Sequence, residues 1–275
     1  MTSNESSDDR YVHGHSPEEH ERLRRQARFL EPLVYDRLPF RRQRRLLEVG
    51  SGVGGQTEIL LRRFPELHVT GVEAGEAELV ESRRYLATVP YAAGRHEMVA
   101  GDARRLPFDA GRFDAAFLCW VLEHVPDPAQ ALTEVRRVLA PGSPVACTEP
   151  LNSAFFLTPY SPHTMRYWAA FNDHQVELGG DPFVGAKLGN LLQAVGFRDV
   201  ETEVRVTHLD SRAPAERAET VAYWADLLLS GAPGLLETKR VSRETVDGMT
   251  AELDRVARDP NSVFFDCFVQ ARARA

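Results

Sequence analysis

The sequence predicts an α/β protein: a doubly wound, mainly parallel sheet of seven strands with an antiparallel last strand, a helical N-terminal lid and cap insertions. Three observations carry that expectation. Leu46-Leu47-Glu48-Val49 is a short apolar run that turns, through Gly50-Ser51-Gly52-Val53-Gly54-Gly55, into a helical pattern. From there to Thr148, short β-rich runs alternate with helical ones, the order that builds a parallel sheet with helices on both faces. Two later stretches, 150–183 and 210–259, interrupt that rhythm and read as insertions.

Residues 1–43 divide into a polar tail, expected to be disordered to residue 10, and a lid helix. Ser16 can cap that helix, Pro17 suits its first position, and Glu19 completes a capping box. Leu23, Ala27, Leu30 and Val34 mark an apolar face, and Pro32 predicts an end near Leu30. Such a helix has no place in the sheet, so it packs outside or lies across the ligand mouth.

The main domain spans 44–275. Strands are expected at 45–49, 68–72, 96–100, 113–119 and 144–148, with helices between them at 76–88 and 129–139 and a first helix ending near Phe64-Pro65. After Glu149 comes an aromatic-rich segment holding Phe155, Phe156, Tyr160, Tyr167, Trp168, Phe171 and, just beyond, Phe183. A helix from Asp181-Pro182 to Gly196 leads to a sixth strand at 200–206. Residues 210–259 read as two helices joined at Gly231-Ala232-Pro233-Gly234, and 262–269 as the seventh strand. Neither insertion is long enough for a core of its own, so both are expected to cap the sheet on its ligand side.

Ligands of such sheets lie outside the carboxyl ends of the strands. Gly50, Gly52 and Gly55 satisfy G-x-G-x-x-G, a dinucleotide pattern. Glu48 argues for another ligand, because a carboxylate beside that turn repels a pyrophosphate but attracts a sulfonium and an ammonium. With Gly50, Gly52 and Gly54 it reads Glu-x-Gly-x-Gly-x-Gly. Glu73 ends the second strand, nineteen residues past Gly54, where it can accept both ribose hydroxyls. Asp102 follows the third strand, and Val121-Leu122-Glu123-His124-Val125-Pro126-Asp127 the fourth.

Together these motifs make residues 45–150 resemble the class I S-adenosylmethionine (SAM)-dependent methyltransferases, small-molecule type, whose sheet is Rossmann-like. The resemblance implies SAM as cofactor. It places Glu48, Gly50, Gly52, Gly54 and Gln56 at the loop, Glu73 on the ribose, Asp102 and the Ala103 N–H on the adenine, and Cys119 and Trp120 at the end of the fourth strand. Tyr11-Val12-His13-Gly14-His15-Ser16 looks like the N-terminal lid of some bacterial methyltransferases of secondary metabolism, which sets Tyr11 over the cofactor. Two other readings stay open: a methyltransferase-like protein that binds SAM without methyl transfer, and an NAD-dependent oxidoreductase.

An oxygen or amine acceptor needs a base as well as orientation. Glu149, at the end of the fifth strand, and the histidines His13, His15, His163 and His174 are the candidates, with His15 and His174 preferred among the histidines, whereas His124 reads as structural. Phe155, Tyr160, Trp168 and Tyr223 are the expected substrate wall, suited to an apolar or aromatic small molecule. The chain has 275 residues, 43% of them hydrophobic and 27% charged, with a net charge of −7, which argues against nucleic acid or an anionic membrane as partner. Cys119, Cys147 and Cys267 are too widely spaced for a zinc site or disulfide framework, and no metal is expected. No signal segment or membrane span is read, so a cytoplasmic location is expected. Homo-oligomerisation stays open.

Overall fold

A computed structural model describes residues 16–275. Five parallel strands form one half of the sheet: β1 (Arg45–Val49), β2 (His68–Glu73), β3 (His96–Ala100), β4 (Ala115–Cys119) and β5 (Pro144–Pro150). Their spatial order is β3-β2-β1-β4-β5, so the winding reverses between β1 and β4 and opens a crevice at their carboxyl ends. β4 is buried throughout and β1 in all but its first residue, which explains their continuous apolar runs.

β6 (Phe156–Thr158), β7 (Arg198–Leu209) and β8 (Val263–Arg274) complete an eight-stranded sheet, and β8 runs antiparallel to β5, β6 and β7. The antiparallel last strand is as expected. The eighth strand is β6, whose three residues are too few to show a period of two.

The helices are α1 (Pro17–Val34), α2 (Gly55–Arg63), α3 (Glu76–Ala87), α4 (Pro128–Val138), α5 (Pro162–Glu177), α6 (Leu188–Ala194), α7 (Pro214–Glu237) and α8 (Arg243–Arg258). α1 starts as predicted: Ser16 Oγ accepts the Glu19 N–H at 3.2 Å. It runs past its expected end with Pro32 inside, because burying Val34 and Tyr35 outweighs the hydrogen bond Pro32 cannot make. α7 likewise continues through Gly231-Ala232-Pro233-Gly234, where a break was expected. A Cβ at Gly231 would sit 2.9 Å from Phe171 Cε2, so the glycine lets α5 and α7 approach closely, and the turn falls instead between Glu237 and Arg243.

α5 has no counterpart in the sequence reading. Its N-terminus is held from a distance: the Glu252 carboxylate on α8 accepts the His163 and Thr164 N–H groups at 3.1 and 2.8 Å and the Thr164 hydroxyl at 2.8 Å. The two insertions therefore share one core. Phe155, Tyr167, Trp168 and Phe171 pack with Val221, Trp224, Leu228 and Leu235, and with Phe264 of β8. Two further clusters lie on the two faces of the sheet. The three cysteines are buried free thiols.

Arg217, only 1% exposed, ties this cap together. Its guanidinium donates to the carbonyls of Val256 (3.2 Å), Asp259 (2.7 Å) and Ser262 (3.1 Å), joining α7 to the end of α8 and the start of β8. Arg217→Met removes three charge-assisted bonds and strands their buried acceptors. Urea unfolding is expected to show a loss of about 3 kcal/mol, the scale of one or two such bonds left unmade. A loss within 0.5 kcal/mol, roughly the surface-substitution level, would contradict this role.

Candidate cofactor and acceptor site

The loop after β1 is folded onto β2. Gly50 and Ser51 donate their N–H groups to the Val72 carbonyl at 2.8 and 3.1 Å. A Cβ at Gly50 would lie 2.4 Å from Val121 Cγ2, so the turn after β4 can seat against this loop only at a glycine. Gly52 has φ +49° and open space where a Cβ would point. Its N–H donates at 2.8 Å to Glu73 Oε2, while Glu73 Oε1 accepts from Ala74 (2.8 Å) and Gly75 (3.0 Å). Burial pushes the Glu73 carboxyl up, and those three N–H groups pull it back.

A cavity of about 1100 Å³ opens from this loop. Gly50, Gly52, Gln56 and Glu73 line it from β1, α2 and β2, and Asp102 and Ala103 from the turn after β3. Asp102 is bound by the Arg104 guanidinium, Nη2 to Oδ2 at 2.7 Å. Cys119 and Trp120 line it from the end of β4. Gln56 braces that end, donating to the Cys119 carbonyl at 3.3 Å and accepting the Tyr35 hydroxyl at 3.2 Å.

Glu48 and Gly54 stand behind the loop, off the cavity wall. Gly54, at φ +80°, backs onto Leu86 and Ser82. Glu48 is fully buried: Oε2 accepts the Thr57 hydroxyl at 2.6 Å, and Oε1 has no partner. Burial, with some help from the Glu73 charge, raises its carboxyl to about 8.

The far half of the cavity is aromatic. Of the four residues read as a substrate wall, Trp168 and Tyr223 line it, with Phe171, Trp224 and, from α1, Phe29, whose ring stacks on Tyr223 at 4.7 Å. Phe155 does not reach it, because that ring is spent inside the cap core, stacked on Trp224 at 4.6 Å. Tyr160 is 75% exposed and off the cavity.

The proposed bases fare differently from the cofactor loop. Glu149 is wholly buried behind the wall, and its two oxygens accept the N–H groups of Val121 (3.2 Å), Leu122 (2.9 Å) and Glu123 (3.3 Å). Those lone pairs hold backbone, so they are not aimed at an acceptor. His174 lies off the cavity on α5, where burial and the nearby Arg240 guanidinium hold its imidazole below the usual range. Tyr11, His13 and His15 lie outside the described residues. Asp266 of β8 lines the aromatic half and was not anticipated. Its signal was present: an acid between Phe264 and Phe268 breaks the apolar face of a strand.

Among the described residues, no group of three or more histidines, cysteines or acids could hold a metal, and no helix is long and apolar enough to cross a membrane. A family model described as a methyltransferase domain matches residues 47–147. An O-methyltransferase of Aspergillus nomiae is 30% identical over 180 residues, covering 63% of this chain and 73% of that enzyme. The chain belongs to the class I SAM-dependent methyltransferases.

An uncharacterised 37.1 kDa protein in a transposon of Streptomyces fradiae is 30% identical over 226 residues, which is 74% of this chain and 63% of that protein. The chain thus spans less than two thirds of the length of that relative. Among solved structures, the Haemonchus contortus phosphoethanolamine N-methyltransferase 2, crystallised with S-adenosylhomocysteine (SAH), shares the fold with a TM-score of 0.55. That likeness has 19% identity and covers 92% of this chain and 52% of that one. The cofactor is SAM, and the residues present fit it. The space over Gly52 is the kind a ligand fills, and the orphaned Glu48 oxygen leaves an unused acceptor behind the loop.

Glu48 also predicts a pH dependence. Its carboxyl titrates near 4.5 in the unfolded chain and near 8 in the fold, so the folded state holds the proton more tightly. The stability this group contributes is complete below about pH 4.5 and is lost as pH rises through about 8. Glu48→Gln is therefore expected to flatten part of the fall in melting temperature between pH 5 and 8 in the cofactor-free protein. An unchanged slope would show that Glu48 titrates normally.

Proposed function

We propose that this chain transfers the methyl group of SAM to an apolar or aromatic small molecule held between the glycine loop and the cap. The observation that supports this most directly is that one cavity runs without interruption from Gly50–Gly52 and Glu73 to Trp168, Tyr223 and Trp224. A cofactor site and an acceptor site that share a wall can bring donor and acceptor into line.

In this reading Glu73 accepts the ribose hydroxyls, and Asp102 with the Ala103 N–H receives the adenine. Gly50, Gly52, Gln56, Cys119 and Trp120 shape the bed for the methionine part. When bound, SAM supplies an electrophilic methyl group. The work left to the protein is orientation and the exclusion of water, together worth up to roughly 7–11 kcal/mol in well-oriented systems. α1 serves the second purpose. Arg22, Gln26, Phe29 and Leu33 face the cavity and roof it opposite the sheet, as a lid would. With Glu149 engaged by backbone and His174 turned away, positioning carries more of the catalysis than a dedicated base does. The roomy aromatic half, rather than a pocket of polar donors, favours a large apolar metabolite such as those of bacterial secondary metabolism.

Calorimetric titration with SAM tests the cofactor half. Glu73→Ala removes an acceptor and also frees the Gly52, Ala74 and Gly75 N–H groups, so affinity should fall by at least about 1.5–3 kcal/mol, roughly ten- to 150-fold. Gly52→Val should abolish the binding heat while leaving the circular dichroism spectrum intact. Unchanged affinity in both folded variants would move the cofactor elsewhere.

The acceptor half is read by SAH formation across a panel of aromatic alcohols, phenols and amines. Trp168→Ala should raise KM for any acceptor without weakening SAM. Turnover of none by a SAM-saturated enzyme would count against methyl transfer.

A further inference from the structure

β8 presents Phe264, Asp266, Phe268 and Gln270 to one face of the sheet, because side chains alternate along a strand. Phe264 is fully buried in the cap core, and Phe268 packs in the sheet core with its ring 5.9 Å from Trp120. Asp266 stands between them, at the seam where the two cores meet and the cavity reaches β8. Its strand neighbour in register, Thr207, lines the cavity beside it. Among the described residues it has no ion-pair partner, and the group that acts on its carboxylate is the Cys267 N–H of its own strand. An acid without an ionic partner between two buried phenylalanines is costly, and a phenylalanine or leucine would pack there without that penalty. Packing therefore does not account for Asp266.

The surroundings point to what does. The cap half of the cavity is acidic, with Glu216 and Glu219 of α7 and Glu123 after β4 also on its wall. The arginines of α1 that reach the cavity are already engaged: Arg22 is held by both Glu19 oxygens at 2.7 and 2.6 Å, and Arg28 donates to the Tyr85 hydroxyl at 3.0 Å. Tyr223 and Trp224 line the same half of the cavity, and aromatic rings attract a cation. An uncharged apolar acceptor would offer the Asp266 carboxyl no ionic partner. A cationic nitrogen would satisfy it.

We propose that Asp266 selects the methyl acceptor by pairing with a protonated amine on it, so that the acceptors of this enzyme are amine-bearing apolar molecules. The inference rests on the acceptor site lying in the cap half of the cavity, as argued above. Burial pushes the Asp266 carboxyl up to about 8, so the ionised form gains most when a cation enters. Asp266 acts here as a specificity-determining residue, whether or not the amine nitrogen is the atom methylated.

The test is calorimetric titration of the full chain, with and without SAH, using two probes of matched shape: 2-(1-naphthyl)ethylamine and 2-(1-naphthyl)ethanol. Wild type is expected to bind the amine at least about ten-fold more tightly than the alcohol. Asp266→Asn and Asp266→Leu should bind the two probes alike, keep wild-type affinity for SAH, and melt no lower than wild type. The leucine variant suits the apolar face, so a folding defect in the asparagine variant would not hide the result. Equal binding of the probes by wild type, binding of neither, or a preference that survives in the variants would overturn the assignment. If wild type showed the Asp266-dependent preference yet took up no SAH, the amine site would stand and the methyl-transfer reading would fall.

Discussion

The buried Glu149 carboxylate is the interaction on which the site depends. It sits at the end of β5, fully out of solvent, and gathers the N–H groups of Val121, Leu122 and Glu123. Burial and the nearby Glu123 charge raise its carboxyl to about 8, and the three N–H groups oppose that rise. They offset part of the cost of placing an acid at this depth. What they hold is the turn after β4, which begins with Trp120 in the left-handed region at φ +55°. That turn drives Val121 against Gly50, so its position and that of the glycine loop are set together. The loop in turn carries Gly52 to Glu73. A chain of contacts thus runs from β5 through β4 and β1 to β2, and it fixes the glycine loop at the mouth of the cavity.

The cap is attached by a different kind of bond. Its helices bury a shared aromatic core, but their ends are joined by two polar devices that span long stretches of chain. Glu252 caps α5 from α8, and Arg217 of α7 closes the end of α8. Both are buried charges fully engaged with backbone groups, and each relates elements that local sequence does not. They make the two insertions one body, which is why the aromatic wall faces the strand ends as a single surface.

This difference explains what could be read in the sequence. The parallel half of the sheet was legible because each strand, turn and helix is encoded locally, in runs of β-formers, glycines and caps. The cavity-lining residues Gly50, Gly52, Glu73 and Asp102 follow from strand ends, which are local as well. α5 was missed because its start is capped by a glutamate 88 residues away from Thr164. The break at Gly231–Gly234 was wrongly placed because helix propensity there yields to burial of Ala232 and Leu235. Glu149 was read as a base from its position at a strand end, a rule that names the location but not the direction of a side chain. Its oxygens point inward to backbone. Phe155 and Tyr160 show the same limit, since aromatic content identifies a cap but not which rings turn to its core, its cavity or solvent.

The two halves of the cavity share one physical feature that connects folding to function. Each keeps a carboxylate that the fold leaves under-compensated: Glu48 behind the loop, with one oxygen unpartnered, and Asp266 on the acceptor side, with only its neighbour's N–H. Elsewhere the protein engages its buried charges fully, as Arg217 and Glu252 demonstrate within the same structure. One exception lines the cavity and the other stands directly behind its glycine loop. Cationic ligands entering such sites recover electrostatic energy that the empty protein forgoes, and by linkage their binding stabilises the fold. In the reading proposed above the same acids would resist an anionic ligand, so a preference for positive charge would follow from what the fold declines to neutralise rather than from any one contact.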